Sequence, residues 1–127
     1  MTPYADVDYY TNVYEGTDIP SDELKKVLIQ ASKHIDTLTY NRIVGKGIDA
    51  LTEFQQDIIR ECCCALADFE YINADMINSI LKSYSINGTS MTFDSGWSCS
   101  MHKGVVIKND IYSELQKTGL TCRTLRW

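Results

Sequence analysis

Chemistry in a short chain shows itself through histidines, thiols or carboxylates at fixed spacings. The two histidines, His34 and His102, stand far apart. His34 lies beside Ile35 in a stretch of helical period, and the position one turn on is Leu38, so no second metal ligand follows and a solvated or hydrogen-bonded structural role is expected. Cys99 and His102 are the residue types of a thiol nucleophile and its base, but three residues apart in a Ser-rich segment they have no third group to orient them. The run Cys62-Cys63-Cys64 cannot converge on one ion, because successive helical side chains point about 100° apart, and no Cys-x-x-Cys spacing occurs among the five cysteines. These thiols read as small buried apolar groups in a reducing compartment.

The carboxylates point the same way. Asp57 and Glu61 sit one turn apart with Arg60 beside them, a solvent-facing charge pattern rather than an acid–base pair. Asp68 and Asp75 lack the histidines of a di-metal carboxylate site. No phosphate-binding glycine loop or Gly-x-Ser-x-Gly elbow is present, and Asn87-Gly88-Thr89 matches a glycosylation signal but is explained by a turn. The expectation is a protein with no catalytic residue, no metal ligand set and no cofactor.

The elements that would carry these residues follow from periodicity. Residues 1–20 mix acids with Tyr4, Tyr9, Tyr10 and Tyr14, which reads as an arm with one helical turn near Ala5 to Asn12. A helix opens with Ser21 as N-cap and Asp22 and Glu23 at the positive end of its dipole, and it buries Leu24, Leu28, Ala31, Ile35 and Leu38. The pattern lapses from Thr39 to Ala50 as a connecting loop. Thr52 and Gln55 form a capping box for a second helix, whose stripe is Ile58, Cys62, Ala65, Phe69 and Ile72 and which extends to about Ser79. Residues 82–86 and 89–93 alternate around Asn87-Gly88, the dipeptide of a two-residue hairpin turn. Residues 94–104 read as a loop, and a last helix runs from Asn109 as N-cap to Gly119, with Leu120 folding back on it. Residues 121–127 form an extended tail.

At 127 residues, with 44% hydrophobic and 23% charged positions, the chain fits one globular domain. The expected fold is mainly α: a small bundle of three main helices with a short β-hairpin and an extended C-terminal tail. No segment approaches the ~18 apolar residues of a membrane span, and no signal peptide opens the chain, so a soluble, non-secreted protein made in the cytoplasm is expected. The net charge of −5 is unevenly placed: residues 1–24 carry six acids and no Lys or Arg, while residues 99–127 carry five bases against two acids. Such polarity can steer one copy's head toward another's tail, and it equally fits two solvated ends decorated with opposite charges. Nucleic acid is disfavoured as the main ligand, since there is no basic stripe and the pI is about 4.9.

Two runs in fixed order, Ala31-Ser32-x-x-Ile35-Asp36-x-x-Thr39 and Leu115-x-x-Thr118-Gly119-Leu120-x-x-Arg123, bracket the central Cys63-Cys64-Ala65-Leu66-Ala67-Asp68 and the segment Ser85-Ile86-Asn87-Gly88. With Ile19-Pro20-Ser21 ahead of them, the chain resembles over residues 14–123 the head-to-tail connector proteins of tailed bacteriophages, the adaptor or head-completion family. Cys122 stands where that family is expected to carry Tyr. The resemblance implies a structural virion protein, located at the head–tail interface and made in the host bacterium. It implies a ring, typically of twelve copies, that joins the portal to the stopper or tail and extends the channel through which DNA passes without sequence-specific binding. It also implies that the C-terminal segment docks on the portal, through Leu120, Arg123, Leu125, Arg126 and Trp127. Candidate ring or stopper contacts are Asn41, Arg42 and Lys46 in the 39–50 loop, Asn87 and Gly88 at the turn, and Trp97. The residues alone also admit a small cytoplasmic regulator or scaffold that binds one partner protein.

Overall fold

Two stripes of apolar residues at alternating spacings of three and four dictate the helices that organise this protein. The computed structural model describes residues 3–87, 99–102 and 105–121. Helix α1 (Ser21–Leu38) buries all five of its stripe residues, and α3 (Glu53–Ile72) buries Ile58, Ile59, Leu66 and Phe69 with Cys62 to Cys64 against them. Each fully buried Leu or Ile contributes about 1.5–3 kcal/mol, which makes this pair the main source of stability. The two helices run antiparallel. Tyr71 near the end of α3 bonds Glu23 near the start of α1, while at the opposite end Arg42 and Gln55 both reach carbonyls of residues 118–120.

Between them lie the five-residue helix α2 (Arg42–Lys46) and a 3-10 turn at Ile48–Ala50. The capping box of α3 is formed as the sequence requires: Gln55 N–H donates to Thr52 Oγ1, and Thr52 N–H donates to Gln55 Oε1. Helix α1 starts one residue earlier than expected relative to its cap. Pro20 in extended conformation is the N-cap and Ser21 the first helical residue. In the same way Lys108, not Asn109, caps the last helix, α5 (Asn109–Gln116).

The largest departure from expectation concerns the β element. Residues 82–86 are not a strand, because a separate helix, α4 (Ala74–Asn87), follows α3 after a break at Asn73 and includes them. Ile77, Leu81 and Tyr84 also fit a helical period, and an adjoining helix makes propagation easier than a new nucleus. The proposed second arm at 89–93, with Gly88, lies outside the described residues. The antiparallel ribbon is instead β1 (Cys99–His102) paired with β2 (Val105–Lys108), in register Cys99 with Lys108 and His102 with Val105. Part of the expected 94–104 loop is therefore strand. The signal was the run Val105-Val106-Ile107, β-branched throughout and buried at all three positions. The protein is thus mainly helical, and among the described residues one small ribbon packs against α3, α5 and α1.

Gly119 ends the last helical turn with φ of 75°, the left-handed conformation that glycine adopts without strain, and Leu120 then folds into the core. Among the described residues, no helix is long and apolar enough to cross a membrane.

Candidate functional site

The N-terminal arm is more ordered than its composition suggests. Asp6 caps it by accepting from Tyr9 N–H at 2.7 Å, and a turn of π-helix follows at Tyr9–Val13. Two buried contacts then hold it down. The Tyr4 hydroxyl donates to the Asp36 carboxylate on α1, with Tyr4 N–H on Ser32 Oγ at 3.0 Å. The Tyr10 hydroxyl donates to Asp68 on α3 at 2.5 Å, with Tyr14 stacked on Tyr10 at 5.6 Å and also bonded to Asp68. Burial raises the pKa of both carboxyls above the ordinary aspartate value, while the tyrosine bonds pull them back down. Burial, reinforced by the same carboxylates, pushes the Tyr14 hydroxyl up to about 12 and raises Tyr4 and Tyr10 further.

The arm covers Cys63 and Cys64, while Cys62 faces α5 with its Sγ on the Ile111 carbonyl. Burial raises all three, Cys62 to about 12, which is the opposite of an activated nucleophile. Cys99 is also buried, and its thiol is pushed up as well, so it shows no sign of activation. His34 pairs through Nδ1 with Glu70 Oε2, the structural role expected of it. Asp57 stays at the surface with Arg60 at 3.8 Å. Among the described residues no group of three His, Cys, Asp or Glu side chains is placed to hold a metal ion.

What the fold does build is a contoured surface. A shallow cleft of about 130 Å³ between α3 and α5 has an apolar floor of Ile58, Cys62, Ala65 and Ile111, with Glu61, Asp110 and Glu114 on its rim. A second, broader depression of about 550 Å³ lies along α1 beside Lys25, Ile29 and Lys33.

The candidate contacts of the 39–50 loop do share one end of the bundle. Helix α1 closes with Asn41 N–H on the Asp36 carbonyl and Tyr40 N–H on the Thr37 carbonyl, the paired bonds of a Schellman cap. Tyr40, with φ of 59°, occupies the position usually given to glycine, and Asn41 follows at 58°. A left-handed non-glycine residue costs about 1–2 kcal/mol. Arg42 stacks over the Tyr40 ring at 4.8 Å and donates to the Leu120 carbonyl at 2.9 Å, which ties the loop to the last turn of the chain. Lys46 is exposed on α2.

Leu120 folds back on the last turn as expected, but its side chain is fully buried, so it anchors the segment from inside and is not the surface contact also expected of it. Asn87 is the last residue of α4 rather than part of a hairpin turn. Gly88, Trp97, Arg123, Leu125, Arg126 and Trp127 lie outside the described residues. Sequence reasoning missed the tyrosine–carboxylate pairs, whose partners are 32 and 58 residues apart; the only local hint was the density of tyrosines in the arm. Comparison with known proteins adds no relative, since the chain matches no family model, no curated protein and no solved structure.

Proposed function

We propose that this protein is a head-to-tail connector of a tailed phage, a structural ring component that joins a portal to a stopper or tail. One observation carries the reading: most described residues of its two defining runs are packing positions of the fold. Ala31, Ser32, Ile35 and Asp36 are buried on α1 with Thr39 buried at its C-cap, and Leu115, Thr118 and Leu120 are buried around the left-handed Gly119. A shared set of packing positions is what a common fold requires, and it supports kinship more strongly than matching surface residues do.

The same anchor gives the tail a defined starting point. Arg42 and Gln55 hold the carbonyls of Leu120 and Thr118 at 2.9 Å each, so whatever follows residue 121 leaves from a fixed place on the rigid bundle. The following sequence, Cys122-Arg123-Thr124-Leu125-Arg126-Trp127, combines two cations with two large apolar side chains, a composition suited to docking on another protein.

Disrupting the gene in the parent phage and examining lysates by electron microscopy tests the proposal. Unjoined heads and tails, with heads that have lost DNA and rescue by the complementing gene, are expected. Normal tailed particles in the disrupted strain overturn it.

A further inference from the structure

The N-terminal arm is fastened differently from the bundle beneath it. Helices α1 and α3 meet through apolar stripes, whereas the polar ties of the arm run to a narrow strip of polar side chains between them: Ser32 and Asp36 on α1, Cys63 and Asp68 on α3. Tyr4 N–H donates to Ser32 Oγ, which lies 3.3 Å from the Cys63 sulfur, and the backbone N–H groups of Tyr4 and Ala5 face that sulfur. The Tyr4 and Tyr10 hydroxyls cover Asp36 and Asp68. Ala5 and Tyr10 are buried, while Thr11, Asn12, Val13 and Glu15 face water.

Contacts of this kind exchange readily for water. A hydrogen bond inside a protein is worth little more, net, than the bonds to water that replace it. The two carboxyls, whose burial disfavours their charge, regain hydration when the tyrosines leave. An apolar stripe has no such replacement, so the bundle resists opening where the arm does not.

The chain that leaves the arm is built to turn. Ile19 is buried and fixes one side of the connection. On the other side Glu15 has a φ of 60°, a left-handed conformation that is unfavourable for a residue with a side chain. Gly16 N–H bonds back to the Tyr10 carbonyl at 2.9 Å, and a Cβ at Gly16 would stand 2.2 Å from Tyr10 Cζ, so the loop passes over the ring only because the residue is glycine.

We infer that residues 3–14 are a strap that lifts as a unit about Glu15 and Gly16 while the α1/α3 bundle stays folded, and that lifting uncovers Cys63 and Cys64. Opening also releases the left-handed constraint at Glu15. Cys62 is the built-in reference: its sulfur bonds the Ile111 carbonyl and packs against α5, so it is uncovered only when the bundle itself opens.

The test pulses the native full-length protein with iodoacetamide and places the label on each thiol by fragment-ion mass spectrometry. In the wild type, Cys63 and Cys64 are expected to react at a rate that low urea leaves unchanged, and Cys62 more slowly, at a rate that urea increases. Two variants loosen the strap: Tyr10→Phe removes the bond to Asp68, and Gly16→Ala drives a methyl group into the Tyr10 ring. Each is expected to speed Cys63 and Cys64 about tenfold or more, the effect of losing a hydrogen bond to a charged group, with the Cys62 rate and the far-ultraviolet circular dichroism unchanged. Three wild-type thiols reacting at one rate with one urea dependence overturn the strap, whether or not the variants fold. So do variants that leave the Cys64 rate unchanged or that speed Cys62 equally.

Discussion

Replacing Leu120 with Ala separates a core anchor from a docking residue. The side chain is wholly buried beside the left-handed Gly119. A Leu→Ala change at such a site removes the transfer energy of the lost methyl groups and leaves a cavity, costing about 2–5 kcal/mol. With an unfolding entropy of about 2.1 cal/mol/K per residue, a chain of 127 residues has roughly 270 cal/mol/K at its midpoint, or about 4 °C per kcal/mol. The expected fall in Tm is therefore about 8–20 °C, read by far-ultraviolet circular dichroism. Phe54→Ala is the control. It deletes a larger side chain, but one that is mostly exposed, and it should move Tm by no more than about 2 °C. A Leu120→Ala shift as small as that of the control would show that Leu120 is not packed, and the account of how the C-terminal segment is anchored would have to be abandoned.

Other consequences follow from the caps, hydroxyls and thiols. Thr52→Ala removes the capping box at the start of α3 and should cost about 1 kcal/mol in urea denaturation; no measurable loss would mean that the box contributes nothing in solution. Tyr4, Tyr10, Tyr14 and the three central thiols hold their protons more tightly folded than unfolded, so their contribution is fully present below the unfolded values, near 9 for thiols and 10 for tyrosines, and is lost as pH rises past them. Stability measured by denaturant titration should fall steadily above pH 9, less steeply in Tyr10→Phe, and a flat alkaline profile would refute this. Asp36 and Asp68 are raised too, so the charged form is the one the fold disfavours, and their burial costs stability at neutral pH that is recovered as pH falls toward the ordinary value of 3.8. Finally, Cys62, Cys63 and Cys64 should react with a disulfide reagent only as fast as the protein opens; rapid labelling of native protein would contradict their burial.

The sequence by itself determined what depends on neighbours along the chain. The stripe from Leu24 to Leu38, the Thr52–Gln55 box and the stop at Gly119 were all legible, because each is a matter of helical period or of a cap bonding within a few residues. The alternation at 82–86 misled, since a two-residue period is also compatible with a helix when an adjoining helix supplies the nucleus. Val105-Val106-Ile107 was the better strand signal. Tertiary structure alone decided that Tyr4 meets Asp36 and Tyr10 meets Asp68, since no local rule fixes pairings across 32 and 58 residues. It also decided that Ile72, on the same stripe as Phe69, faces water. A helical period states which side chains share a face, but whether each is covered depends on the elements around it: α1 reaches Glu70 and Tyr71 in the last turn of α3 and leaves Ile72 exposed.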